Sequence, residues 1–257
     1  MITKHPSFKH PSNPDIKIWR YMDFSKFVFL VLDRSLYFSA ADRLGDPFEG
    51  STTRPQYQFR EYVLANRHDD PSLAAWRGLS DEQLRDGFRK REEWNRRWPS
   101  FCYINSWHMN EHESAAMWHL YSKSDEAIGI QTTFRRLAEQ LPDYVYVGEV
   151  GYIDYETGVI PEINILNAFL CKRMSFAHER ELRALIMGAP PEAGVPLPFR
   201  AKDGGVIVPI HLEDTIETIR VSPTSPTWFK NTVDKLVKSQ KINIPVLQSS
   251  LSAKPLY

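Results

Sequence analysis

Short segments in which apolar and polar residues alternate recur along the chain, and this two-residue period predicts β-strands. The segment 16–22, Ile-Lys-Ile-Trp-Arg-Tyr-Met, shows the alternation directly. Strands are predicted at residues 16–22, 36–39, 101–107, 127–132, 144–155, 181–187, 205–210 and 217–221.

Helices are predicted where apolar residues recur every three to four positions behind a capping residue. Asp23 or Ser25 begins a short apolar helix that runs through Leu32. Ser80 and Gln83 form a capping box at the start of another helix. Further helices are predicted from residue 110, over 134–141, from residue 161 and from residue 225.

Helices and strands are interspersed without the regular alternation of a doubly wound fold, which favours the α+β class. The chain of 257 residues fits one large domain. We therefore predict a single domain over 16–257, with a central mixed or antiparallel sheet flanked by helices. Residues 1–15 form a loose, proline-containing lead-in, and a charged helical insertion occupies about 56–98.

Charge and composition narrow the function classes. The 32 basic and 32 acidic side chains balance, which argues against binding of duplex nucleic acid through overall charge. A local patch leaves nucleic-acid binding open but not favoured. Cys102 and Cys171 have no neighbours at metal spacing, and two cysteines suit a reducing compartment. The longest apolar run, 27–32, is far shorter than the ~20 residues of a membrane helix. We expect a cytoplasmic protein without membrane contact, and its oligomeric state is not predicted.

Arg20 is the first candidate for chemistry, because it lies on a predicted strand between Trp19 and Tyr21. Its planar, always-charged guanidinium is suited to a phosphate or carboxylate. The alternative is that Arg20 simply pairs with Asp46 or Glu49 and fixes the turn that contains them.

Two carboxylates and a guanidinium follow one another late in the chain. If the strand begins near Glu179, alternation places Glu179, Glu181 and Arg183 on one face. Such a cluster favours unequal pKa values of the two carboxyls, which acid–base chemistry needs. The alternative is a solvated strand face of alternating charge.

The segment 106–113 holds His108 and His112 four residues apart. Metal binding is disfavoured, because the order is not that of a His-Glu-x-x-His helix and the pair spans a predicted helix start. We expect Asn110 and Glu113 to cap that helix, with Trp118 and His119 at a pocket edge.

Basic residues and Trp94 are interleaved over residues 85–97. This composition is found in surfaces that grip single-stranded nucleic acid. The favoured interpretation is a solvated helix carrying many ion pairs.

Several motifs resemble those of a bacterial family known as domain of unknown function 2971. They are Trp19-Arg20-Tyr21, Leu36-Tyr37-Phe38-Ser39, Gly45-Asp46-Pro47-Phe48-Glu49-Gly50, Ser106-Trp107, Met117 to Ser122, Phe176 to Arg183 and Val221-Ser222-Pro223. Together they extend over nearly the whole chain, with Gly45 where the family usually has Asn. The resemblance implies a family but no activity.

The order of the clusters is also similar to the Arg–Ser–Glu arrangement of ADP-ribosyltransferases, which act on NAD as co-substrate. The similarity implies that Arg20 holds a phosphate, Ser39 supports the site, Glu181 stabilises the cationic ribose, and Glu179 orients or deprotonates the acceptor. Ser106 competes with Ser39, and Tyr37 or Trp107 would stack on nicotinamide. The ligand-binding residues expected around this centre are Tyr37, Asp46, Glu49, Ser106, Trp107, Trp118, His119 and His178.

Two other functions remain open, so the sequence leaves undecided whether the protein is an enzyme at all. In a metal-dependent nuclease or phosphohydrolase, Asp46, Glu49, Glu179 and Glu181 would hold Mg²⁺. In a non-catalytic sensor or interaction module, the same charges would form a structural network.

Overall fold

The computed structural model describes residues 5–121, 124–161 and 164–256. Ser122, which closes one of the quoted motifs, lies outside these ranges, as do two residues of the helix predicted from Pro161. The protein is α+β, as predicted, with helices packed on a large, mainly antiparallel sheet. Among the described helices, none is long and apolar enough to cross a membrane.

Ten of the described strands form one sheet, and β6 and β7 form a small parallel pair beside it. The strands are β1 (Lys17–Asp23), β2 (Ser35–Ala40), β3 (Cys102–Met109), β4 (Ala127–Thr133), β5 (Val145–Glu149), β6 (Gly151–Ile153), β7 (Cys171–Arg173), β8 (Glu181–Met187), β9 (Ala201–Lys202), β10 (Gly205–Pro209), β11 (Thr218–Val221) and β12 (Val246–Gln248). The sheet follows the order β12-β11-β4-β1-β3-β2-β10-β9, and β8 pairs with both β3 and β5.

The described α-helices are α1 (Phe24–Asp33), α2 (Arg54–Asn66), α3 (Asp81–Arg97), α4 (Ala115–Tyr121), α5 (Phe134–Gln140), α6 (Leu212–Thr215) and α7 (Thr227–Ser239). The capping box predicted at Ser80 and Gln83 is present at the start of α3. Helices α1, α5 and α7 bury their apolar residues in the main core. These helices therefore cover the sheet where its apolar residues concentrate.

Strand β3 is shared by three neighbours, and this arrangement splits the sheet. Along one edge β3 pairs with β8 from Cys102 to His108. Along the other edge it pairs with β1 only at His108 and Met109 and with β2 only at Tyr103 and Ile104. Between these two pairings, residues 105–107 of β3 pair with neither β1 nor β2.

The two faces of β8 are both buried. Leu182 and Ala184 lie in the main core, as alternation predicts. Glu181 and Arg183 point to the other face but are also enclosed, at 4% and 0% exposure. The alternative of a solvated strand face of alternating charge is therefore wrong, because loops and the β6–β7 pair cover this face.

Three predicted elements differ from the structure. The helix expected from residue 110 begins at Ala115, because Ser114 caps it through the amide of Met117. The strand expected over 144–155 is divided into β5 and β6. The helix expected from Pro161 is described only as a 3-10 helix over Ile165–Phe169.

Gly50 offers a test of packing beside the buried charges. It has a φ of +73°, and a Cβ there would lie 2.5 Å from the ring of Phe169. We expect Gly50→Ala to lower the free energy of unfolding by about 1–3 kcal/mol. Gly87 in α3 has open space around it, so Gly87→Ala should raise that energy by up to ~1 kcal/mol. Urea unfolding followed by circular dichroism measures both, and equal effects would contradict the prediction.

Candidate functional site

Glu181 begins β8 and is fixed through both its backbone and its carboxylate. Its amide donates to the Tyr152 hydroxyl at 2.8 Å. Its Oε1 accepts from the Ser106 hydroxyl and, at 2.7 Å, from Arg183 Nε. Its Oε2 accepts from Arg183 Nη2 at 3.1 Å and from Lys172 Nζ at 3.3 Å. The carboxylate is thus held in a single orientation by four donors.

Arg183 is the centre of this buried ion network. Its Nη1 and Nη2 donate to the two carboxylate oxygens of Glu49 at 2.7 and 2.6 Å. Nη1 also donates to the Phe169 carbonyl at 2.7 Å. A paired fork of this kind is the strongest arrangement that a guanidinium makes with a carboxylate.

Lys172 on β7 joins Glu181 to Glu179. Its ammonium donates to Glu179 Oε2 at 2.5 Å as well as to Glu181. The other oxygen of Glu179 accepts from the Tyr121 hydroxyl at 3.2 Å. Glu179 ends a 3-10 helix rather than lying on β8, and Arg180 between the two acids is left-handed with a φ of 41°. The two carboxylates therefore converge on Lys172 through this turn and not through strand alternation.

The charges around Glu181 keep it ionised. Burial alone would raise the pKa of its carboxyl, but Arg183 and Lys172 outweigh burial and lower that pKa to about 2. Burial likewise opposes the charge of Lys172, yet Glu181 and Glu179 raise the pKa of the ammonium. The site thus carries a permanent, oriented anion at neutral pH.

Unlike Arg183 and Lys172, Arg20 forms no ion pair with any acidic side chain in the part of the chain that the structure describes. It lies on β1 one residue beyond Trp19, which pairs with His108 of β3. Its Nη1 is enclosed and has no hydrogen-bond partner among the described residues. Burial lowers the pKa of Arg20 to about 10, and the nearby Tyr121 phenol opposes this shift. The guanidinium stays protonated at neutral pH and is suited to an anion supplied from outside the chain.

His108 contributes a second enclosed polar atom. Its Nδ1 lies 2.5 Å from the Glu179 carbonyl, so we assign the ring proton to Nδ1. Burial lowers the pKa of His108, although the Glu179 contact opposes this shift. The neutral ring then presents Nε2 as an acceptor, and Nε2 has no partner within the described chain. It is placed to accept from a ligand hydroxyl or amide.

The acidic residues of the predicted Arg20 cluster pair elsewhere. Asp46 accepts from Arg173 at 2.7 Å, and Glu49 pairs with Arg183. The alternative that Arg20 fixes the turn at Asp46 and Glu49 is therefore wrong. The turn is instead attached to β7 and β8.

Ser39 and Tyr37 lie away from Glu181. Ser39 pairs with Ile104, which is opposite Leu185, so it lies ~13 Å further along the strand direction than Glu181. Its hydroxyl donates to the neighbouring Ala40 carbonyl. The Tyr37 hydroxyl donates to the Asp203 carbonyl at 3.2 Å. Of the two serines proposed for the centre, Ser106 is the one that contacts Glu181.

The predicted aromatic and histidine ligands have different surroundings. Trp107 is buried in the main core, and its indole donates to Asn105 at 2.7 Å, which leaves no open ring face for stacking. Trp118 is buried against Tyr21 and donates to Glu113 at 3.1 Å. His119 and His178 are exposed.

Three residues of the network, Lys172, Tyr121 and Tyr152, were not predicted as site residues. Tyr121 occurs in one of the family motifs but was expected only in the core. Lys172 carries only a weak signal in the sequence, since it and Arg173 follow the apolar segment 169–171. In the structure, β7 pairs with β6, and the Lys172 ammonium contacts the Glu181 carboxylate. The sequence pattern does not predict this contact.

The carboxylates assigned to Mg²⁺ are each neutralised by a cation of the chain. Asp46 faces Arg173, Glu49 faces Arg183, and Glu179 faces Lys172. Within the described ranges, no group of three or more His, Cys, Asp or Glu side chains is arranged to hold a metal ion. The geometry does not favour the metal-dependent alternative.

Several basic residues of α3 form ion pairs with acids of the same helix, which agrees with the interpretation of a solvated helix carrying many ion pairs. Arg89 contacts Asp86 and Glu93, and Arg96 contacts Glu92 at 2.6 Å. These cations already have counterions, so a phosphate backbone would have to displace them.

Comparison with known proteins gives distant structural matches. No protein-family model matches the chain, and no curated protein matches it. The resemblance to domain of unknown function 2971 therefore stays a prediction. The chain is similar to DarT of Thermus sp. 2.9 in complex with ADP-ribosylated ssDNA, with 8% identity and a TM-score of 0.39 over 95% of this chain and 97% of that chain. For DarT in complex with NAD+ the values are 8%, 0.40, 95% and 98%.

Proposed function

We propose that this protein cleaves NAD at the nicotinamide–ribose bond and transfers the ADP-ribose to an acceptor. One observation carries the proposal. The Glu181 carboxylate is permanently ionised and held in one orientation. In its surroundings, two enclosed polar atoms, Arg20 Nη1 and His108 Nε2, have no hydrogen-bond partner among the described residues. NAD can supply partners for both atoms. Its phosphates can bind the Arg20 guanidinium, and its hydroxyl and amide groups can donate to His108 Nε2.

The reaction needs an anion beside a developing positive charge. When the bond between ribose C1′ and nicotinamide breaks, its electron pair leaves with nicotinamide and the ribose becomes cationic. Glu181 cannot move away or take up a proton at neutral pH, because four donors hold it and its pKa is about 2. A preorganised charge of this kind is the electrostatic contribution that is usually largest in catalysis.

The remaining roles follow from the contacts. Ser106 holds the Glu181 carboxylate, so it replaces Ser39 in the supporting role. Arg20 binds a phosphate of NAD. Glu179, kept in place by Lys172 and Tyr121, accepts the proton that the acceptor loses when its oxygen or nitrogen bonds to C1′. With water as acceptor the product is free ADP-ribose.

The proposal predicts the effect of removing the Glu181 charge on nicotinamide release. Glu181→Gln should slow release by at least about 100-fold, the usual effect of losing one preorganised transition-state contact. Purified protein is incubated with NAD, and free nicotinamide is followed by proton NMR. Ser106→Ala should slow release less, because Arg183 and Lys172 still hold the carboxylate. Glu139→Gln, an exposed acid on α5, should release nicotinamide like the parent.

Binding is measured separately, so that a missing acceptor does not hide the result. NAD should raise the melting temperature of the parent and of Glu181→Gln, and Arg20→Met should abolish this shift. Arg180→Met removes an exposed arginine near the site and serves as the control. If NAD neither releases nicotinamide nor shifts the melting temperature of the parent, the proposal is wrong. The network would then be structural, as in a sensor or interaction module.

A further inference from the structure

Tyr121 is the exposed member of the ion network among the described residues. The charged side chains of that network are buried, at 8% exposure or less, and they are Glu49, Lys172, Glu179, Glu181 and Arg183. Tyr121 ends α4 and is 43% exposed, although its hydroxyl donates to Glu179 inside the network. Its ring therefore lies at the border between the buried charges and the solvent.

The Tyr121 phenol is close to the groups that are proposed to bind NAD. The oxygen of Glu179 that does not accept from Tyr121 shares the Lys172 ammonium with Glu181. Burial lowers the pKa of Arg20, and Tyr121 opposes this shift. Burial, Glu179 and Glu181 raise the pKa of the phenol. The phenol therefore lies within electrostatic reach of the cation proposed for a phosphate and of the carboxylate proposed for the ribose.

A hydroxyl needs a base in order to accept ADP-ribose, and the Tyr121 hydroxyl already donates to one. The raised pKa of the phenol keeps it protonated at neutral pH, so its proton must leave as the new bond forms. Glu179 is the carboxylate proposed to take that proton, and its Oε1 lies 3.2 Å from the phenol oxygen, within the reach of about 2.6–3.2 Å for a general base. Lys172 also binds Glu179, but its protonated nitrogen has no electron pair with which to form a bond.

We infer that the Tyr121 hydroxyl is itself an acceptor of ADP-ribose, so that the protein modifies its own chain. This inference rests on the proposed function. The bond between ribose C1′ and nicotinamide breaks, and its electron pair leaves with nicotinamide. The Tyr121 oxygen then bonds to C1′, and its proton passes to Glu179. The product is an O-glycoside in which Tyr121 carries ADP-ribose.

Tyr62 on α2 provides a matched comparison within the same chain. It is 47% exposed, and its hydroxyl donates to the Asp70 carboxylate at 2.8 Å. Tyr62 thus has an exposure and a carboxylate partner like those of Tyr121, but its described contacts do not include the ion network. A modification that requires only an accessible phenol beside an acid would occur at both residues. A modification that requires the Glu181 site would occur at Tyr121 alone.

The test is incubation of the full chain with NAD and no added acceptor, followed by mass spectrometry of the intact protein and of its peptides. We expect one ADP-ribose per chain, attached to Tyr121 and not to Tyr62. Tyr121→Phe should abolish the addition, and Tyr62→Phe should be modified like the parent. The fraction of chains modified per unit time should not depend on protein concentration, because each chain modifies itself. Neutral hydroxylamine should leave the label in place, since it cleaves an ester of an acidic side chain but not an O-glycoside.

Several outcomes would overturn the inference while the proposed cleavage of NAD stands. These are release of nicotinamide without covalent addition, attachment of ADP-ribose to a residue other than Tyr121, and a rate per chain that rises with protein concentration. If the parent releases no nicotinamide, the inference is also wrong, because Tyr121 would have supplied the acceptor. The shift of the melting temperature by NAD then decides separately whether the proposed function survives.

Discussion

Arg183→Met should lower the free energy of unfolding by about 3–5 kcal/mol, because it leaves the buried Glu49 carboxylate without its cation and removes one of the two cations beside Glu181. The Arg183 side chain has 0% exposure. It is the only cation among the described contacts of Glu49, and Glu181 would keep only Lys172 and Ser106. Methionine fills most of the space of the arginine side chain. The loss in free energy of unfolding therefore comes from the missing charge rather than from a cavity. Urea unfolding monitored by circular dichroism measures the effect.

Arg89 provides the matched control for Arg183. It also contacts two carboxylates, Asp86 and Glu93, but on the exposed face of α3. Arg89→Met should change the free energy of unfolding far less than Arg183→Met does, because exposed ion pairs are screened by solvent. Equal losses for the two variants would contradict the prediction. Glu49→Gln combined with Arg183→Met should be less destabilised than the sum of the single changes, since the unpaired charge is then removed.

Acid should destabilise the protein through Glu181 by about 3 kcal/mol between pH 5 and pH 2. The pKa of this carboxyl is about 2 in the folded chain, against an ordinary value of 4.5. A lowered pKa means that the folded state binds the proton less readily than the unfolded state. The stabilisation is therefore fully present above pH 4.5 and is lost as the pH falls towards 2.

Glu181→Gln isolates this contribution from that of other carboxyls. Exposed acids such as Asp86 also have lowered pKa values, and they contribute equally to parent and variant. The difference in free energy of unfolding between parent and Glu181→Gln should therefore shrink by about 3 kcal/mol between pH 5 and pH 2. Urea unfolding at a series of pH values measures it. A difference that stays constant over this range would show that the Glu181 charge does not stabilise the fold.

Local features of the fold could be predicted from the sequence. Alternation along 181–187 predicted β8 and placed Glu181 and Arg183 on one face, and they are in fact hydrogen-bonded to each other. The α3 capping box depends only on Ser80 and Gln83, three residues apart, and was predicted for the same reason. Interactions within a few residues are encoded by spacing, so a single sequence is enough to find them.

Pairings between distant residues could not be predicted. Glu49 contacts Arg183 only because the turn after β2 is folded onto β8. The spacing of residues along the chain does not predict this contact. The helix start at Ala115 was missed for a similar reason. Glu113, expected as its cap, binds Ser249 and Ser250 near the C-terminus instead. In both cases the chain topology determines which residues pair. This is why the solvated strand face and the helix cap at Glu113, which local spacing allowed, were both wrong.

The sharing of β3 among three strands has a consequence for biosynthesis. β1 and β2 emerge from the ribosome before β3, but β8, which pairs with its whole other edge, is made much later. Until then the nascent chain presents one full unpaired strand edge, and Glu49 has not yet met Arg183. Unpaired edges are the surfaces through which folding intermediates aggregate. We therefore expect ribosome-bound chains that end before β8 to require chaperone protection, and chains that include β8 to be released from it.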